Sequence, residues 1–76
     1  MRNRRNAVFS SDEEMMLMIY FHSNRAGTIA SLERMCAELT AEETELCGMA
    51  NVLIGKLQGI SDADFLRLPP VQAVLS

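Results

Sequence analysis

Glu42, Glu43 and Glu45 are the closest this chain comes to a cluster of catalytic carboxylates. Two acids in one cleft can divide general acid and base work when burial drives their pKa values apart. These three follow Thr40, however, and acids at that position are what a helix start favours for capping and dipole reasons alone. His22 is the single histidine. A general base needs an orienting partner and a nucleophile within reach, and no nucleophile motif accompanies it. It reads as a structural or surface residue at a helix end, where the dipole favours a cation. Cys36 and Cys47 form no CxxC pair, and one histidine cannot complete a zinc site with them at this spacing. No glycine loop is placed to cradle phosphate, and no Ser-His-Asp order can be drawn. The chain is therefore read as a non-enzyme, with no catalytic residue, no metal site and no cofactor.

The two thiols are expected to be reduced, as in a cytoplasmic protein. A disulfide between them requires that the second and third helices bring them together. Charge is unevenly placed. Arg2, Arg4 and Arg5 give residues 1–9 a charge of +3, whereas residues 10–76 carry four basic and ten acidic side chains. An acidic body repels the phosphate backbone, so DNA is not expected as its partner. The basic arm is the exception. Arg2, Arg4 and Arg5 are the candidate nucleic-acid contacts, and three charges give only weak, salt-sensitive, non-specific binding. The longest apolar run, Met15 to Phe21, is far short of the roughly 20 residues that span a bilayer. Polar residues follow the basic start at once, so a signal-peptide core is not expected either. Cytoplasmic residence without membrane attachment follows.

Something must position these residues, and three Ser/Thr-x-x-acid signatures say what. They are Ser11-Asp12-Glu13-Glu14, Thr40-Ala41-Glu42-Glu43 and Ser61-Asp62-Ala63-Asp64. In each, a hydroxyl can accept from an orphan N–H at a helix start, and an acid three residues on can reach back. The first helix is predicted over about Asp12 to His22. Ser11 is its better cap, although Ser10 with Glu13 also fits the box. The second covers about Arg25 to Glu38, with Ile29, Leu32, Cys36 and Leu39 on one stripe. Gly27 weakens its first turn relative to alanine. The third starts at the Thr40 cap, carries Leu46, Met49, Leu53 and Leu57 on one face, and stops at Gly59. A short fourth, about Asp62 to Arg67, follows the Ser61 cap, with Ile60 and Phe65 as a hydrophobic staple. Pro69-Pro70 ends it.

The predicted fold is all-α, a small bundle of three main helices plus a short C-terminal fourth. Residues 1–8 are read as a flexible basic arm, 9–68 as a single helical domain and 69–76 as a C-terminal tail. A chain of 76 residues buries only about 60% of the surface it exposes when unfolded. That matters for the first helix, whose apolar run offers side chains at every angle around the axis. Leu17 and Phe21 point one way, Met15 and Ile19 nearly the opposite way, and Met16 with Tyr20 a third. The small core cannot cover all three. Met16 and Tyr20 are the candidate protein-contact residues on the least covered side, so Met16→Lys is expected to leave stability nearly unchanged.

Longer phrases carry a resemblance. Phe9-Ser10-Ser11-Asp12-Glu13-Glu14, then Met15 to Phe21, then the polar turn and Arg25-Ala26, resembles the opening of the transposon-transfer-assisting proteins, small proteins encoded on bacterial conjugative transposons. Leu39-Thr40-Ala41-Glu42-Glu43-Thr44-Glu45-Leu46 is similar to that family's middle helix. Lys56-Leu57-Gln58-Gly59-Ile60-Ser61-Asp62-Ala63-Asp64-Phe65 is similar to its closing phrase. The resemblance implies a mobile element and conjugal transfer as context. It implies no mechanism and no catalytic residue.

The expected function is a small accessory protein of a mobile element acting through protein–protein contact, as a monomer or in weak self-association. The alternative is a DNA-associated regulator using the basic arm. Charge placement separates the two. A positive face built from Arg2, Arg4, Arg5, Arg25 and Arg34 favours DNA, and an apolar face rimmed by acids favours a protein partner.

Overall fold

The computed structural model describes residues 9–75. The arm, with Arg2, Arg4 and Arg5, lies outside the described residues. Within them the chain is all-α, as expected, with no strand. Its helices are α1 (Ser11–Tyr20), α2 (Arg25–Glu38), α3 (Thr44–Gln58), α4 (Asp62–Arg67) and α5 (Pro69–Leu75), with a 3-10 turn over Ala41–Glu43.

Side-chain caps set most of these boundaries, and the first differs from expectation. Ser10 caps α1. Its Oγ accepts from the Glu13 N–H at 3.1 Å, and Glu13 Oε1 accepts from the Ser10 N–H at 2.9 Å. Capping by Ser11 would have put Glu14 at the third position. Glu13 wins because it turns inward, where Lys56 meets it at 2.7 Å. Thr40 caps the 3-10 turn rather than α3 itself. Its N–H and its hydroxyl both donate to Glu43 Oε1 at 3.0 Å, and the tighter turn then feeds α3. Ser61 caps α4, accepting from the Asp64 N–H at 3.1 Å.

α1 is shorter than predicted. Phe21 leaves helical geometry, with φ −55° and ψ 135°, and its ring stacks on Phe65 at 6.0 Å. His22 therefore lies beyond the helix, and its N–H donates to the buried Thr28 Oγ1 at 3.0 Å. Ser23, at φ 62°, completes the reversal, and Asn24 caps α2 through the Gly27 N–H at 2.7 Å. Gly27 is more than a weak spot in that helix. A Cβ there would overlap the His22 carbonyl. Gly27→Ala should accordingly lower stability by about 1–3 kcal/mol through overpacking, against a propensity gain of up to about 1 kcal/mol. A raised urea midpoint would show that the α1–α2 turn yields freely.

α2 and α3 pack closely against each other. Leu32, Met35, Ala50, Leu53, Ile54 and Leu57 are buried between them and their neighbours. Across their connection, Cys36 and Cys47 form a disulfide, with Cα atoms 5.1 Å apart. This corrects the expectation of reduced thiols. The physical reason is the short linker, in which Leu39 is extended and the 3-10 turn follows at once. The last turn of α2 and the first turn of α3 are thereby brought side by side.

The tail also departs from expectation, since it holds a fifth helix. Leu68 is extended at ψ 135°, the geometry a following proline imposes, so Pro69-Pro70 does end α4. The same prolines then open α5. A proline at the first helical position loses no intrahelical bond, and its φ is already suitable. Pro70 and Val71 are buried, and α5 packs against α1. Phe65, fully buried, joins Val71 and Leu17 in the one core.

Candidate functional site

The titratable residues that could do chemistry are dispersed. Glu42, Glu43 and Glu45 are all exposed. Glu43 is held below the ordinary carboxylate range by the Thr40 N–H and hydroxyl, which is a capping role. His22 lines a cavity of about 260 Å³ with Gly27, Ala30, Ser31 and Arg34, in which neither cysteine nor carboxylate takes part. Among the described residues, no three His, Cys, Asp or Glu side chains are grouped to hold a metal ion. No described helix is long and apolar enough to cross a membrane.

Two ion pairs belong to the framework. Arg25 Nε lies 2.7 Å from Asp62 Oδ1, and Arg25 Nη1 donates to the Leu57 carbonyl at 3.1 Å. Arg25 thus ties the start of α2 to the end of α3 and the start of α4. Glu13, only 6% exposed, ties α1 to Lys56 of α3. The Lys56 ammonium also stands 5.5 Å from the Phe9 ring centroid, a favourable cation–π placement.

Burial raises the Glu13 carboxyl, but the hydrogen bonds from Lys56 and Ser10 outweigh it and hold its pKa below the ordinary 4.5. The sign of the pH dependence follows. A depressed folded pKa means that the contribution is complete above about the ordinary value and is lost as pH falls through the folded one. Urea midpoints at pH 7 and pH 3 should therefore differ more for the wild type than for Glu13→Gln. Equal differences would mean that Glu13 adds nothing in its charged form.

Among the described residues, three large apolar side chains are exposed on the outward side of α1. Met15 is 62% exposed, Ile19 67% and Met18 45%. Met16, expected to lie with Tyr20 on this side, is instead buried at 5% exposure, and Tyr20 is half-buried against the core. Glu13, Met16, Leu17 and Tyr20 fall at i, i+3, i+4 and i+7, the spacing of a single inward stripe. With Glu13 drawn in by Lys56, the helix turns Met15, Met18 and Ile19 to the outside.

Grooves flank this ridge. One, of about 410 Å³, is lined by Ser11, Glu14, Met15, Met18, Ile19 and Val74 of α5. The other, of about 260 Å³, lies on the α3 side, where Met15 and Ile19 face Leu46 and Met49 with Asp12, Met16 and Tyr20. Met15 and Ile19 line both grooves and so form the ridge between them. An uncovered side is expected on this helix, but Met15, Met18 and Ile19 form it, while Met16 and Tyr20 only contribute to the lining of the α3-side groove. The missed signal was Glu13, which completes the inward stripe but reads as a solvent-facing acid.

A family profile described as "Putative transposon-transfer assisting protein" matches residues 9–71. The match runs beyond the closing phrase and into the start of α5. No curated protein and no solved structure matches the chain.

Proposed function

This chain belongs to the transposon-transfer-assisting protein family, and from that premise we propose that it is a non-enzymatic accessory protein of a mobile element that works by protein–protein contact. The contact surface in this reading is the outward side of α1 with the end of α5. The observation that carries it is the exposure of Met15, Met18 and Ile19 along one groove with Val74. A contiguous apolar surface on a small domain is costly to leave in water, and such patches mark interaction sites. Methionines suit that use because they repack against varied partners.

Charge placement supports a protein partner over DNA. Arg25, one of the residues a positive face would need, is engaged by Asp62 and the Leu57 carbonyl. The apolar ridge is instead bordered by Asp12 and Glu14. In this reading the protein resides in the cytoplasm, where reducing conditions would open the disulfide and leave the core to hold the domain alone.

Conjugal transfer of the chain's own element tests the proposal. Deletion of the gene and Ile19→Lys should both lower transfer frequency. Val52→Lys, at an exposed position on α3 outside both grooves, should not. Wild-type transfer by Ile19→Lys in a strain where the deletion abolishes it would overturn the contact surface.

A further inference from the structure

The grooves beside the Met15–Ile19 ridge share one chemistry. Each is mainly apolar, and each carries an acid from the first turn of α1, Glu14 on one side and Asp12 on the other. Among the described residues, no lysine, arginine or histidine lines either of them. We infer that this face takes a cationic amphipathic helix of a partner protein, an inference that rests on the protein-contact reading above.

Shape and charge both select that occupant. A ridge with a groove on each side is the surface a second helix packs on, setting its own rows of side chains into the grooves. The apolar anchors of such a helix, spaced i, i+3, i+4 and i+7, form one stripe of matching width. The ten residues of α1 give a seat about 15 Å long, two to three turns. Lysines or arginines flanking that stripe would meet Asp12 and Glu14. The excess of acids over bases in residues 10–76 adds attraction at longer range. A second copy fits less well, because a two-fold contact through this face would set the same acids against one another. The described residues also offer no strand edge to which an extended peptide could pair.

The full chain can be titrated into two fluorescein-labelled model peptides, each about 20 residues long so that helix formation is not limiting. One carries a leucine stripe with lysines on its other positions, and its twin carries glutamates there. By anisotropy the lysine peptide should bind at least about tenfold more tightly than its twin, which is one decade in Kd. Ile19→Lys should weaken that binding by at least about tenfold, and Asp12→Asn with Glu14→Gln by a smaller factor that shrinks further at high salt. Val52→Lys should leave it unchanged. Equal binding of both peptides, no binding of either, or equal loss in Val52→Lys would overturn the inference. So would a monomer–dimer equilibrium in sedimentation that Ile19→Lys abolishes, because the face would then belong to a second copy. The two readings fail separately. If the peptide does not bind while Ile19→Lys still lowers transfer, the protein contact stands and the cationic helix falls. If Ile19→Lys transfers normally, the contact itself falls.

Discussion

Met16→Lys should unfold this domain, and Ile19→Lys, three residues away on the same helix, should barely change its melting. Met16 is 5% exposed in the core, whereas Ile19 is 67% exposed. An ammonium at position 16 would enter the core, where Glu13 already holds Lys56 at 2.7 Å and the nearby Asp12 carboxylate is exposed rather than buried beside it. An uncompensated buried charge costs about 3–5 kcal/mol. A hydrophobic core of this size supplies about 3–5 kcal/mol, so the folded population should fall steeply. A lysine at position 19 replaces an exposed side chain and should cost within about 0.5 kcal/mol. Circular dichroism melts of the two variants measure the contrast. Similar melting for both would mean that α1 is rotated about its axis from the position described.

Removing the disulfide should have the next largest effect. Cys36 and Cys47 close a short loop, with a sequence separation of 11. A cross-link over such a loop stabilises by about 2–4 kcal/mol, chiefly by restricting the unfolded chain. That is most of what a small core supplies without a staple. Cys36→Ala with Cys47→Ala should lower the urea midpoint accordingly, and reduction of the wild type should match it. A midpoint unchanged within error would show that the pair contributes nothing. Alkylation of the protein in cells, followed by mass measurement, should find free thiols if it resides in the cytoplasm.

Elements whose ends are written in side chains are legible in the sequence. Ser61 announces α4, and the Leu46, Met49, Leu53 and Leu57 stripe announces α3, because capping and periodicity are local. α5 is hidden in the sequence because Pro69-Pro70 reads as a stop, although the same residues suit the first turn of a new helix. The sequence alone does not decide the disulfide, because the distance between Cys36 and Cys47 depends on how the 39–43 linker folds. The uncovered side of α1 was foreseeable from having too many apolar directions for too small a core. Its identity was not, because the rotation of α1 is set by the Glu13–Lys56 pair, 43 residues apart in sequence. A charged residue on an inward stripe is invisible to a count of apolar positions.

On the proposal made above, Met15, Met18 and Ile19 face a protein partner. Photo-cross-linking from position 19 tests it most directly, with a benzophenone amino acid in place of Ile19 in cells carrying the element and position 52 as the control. A discrete protein adduct should form from position 19, be reduced when Met15 is also replaced by lysine, and be absent from position 52. Adducts of equal yield from both positions, or an adduct from position 19 to DNA, would contradict it.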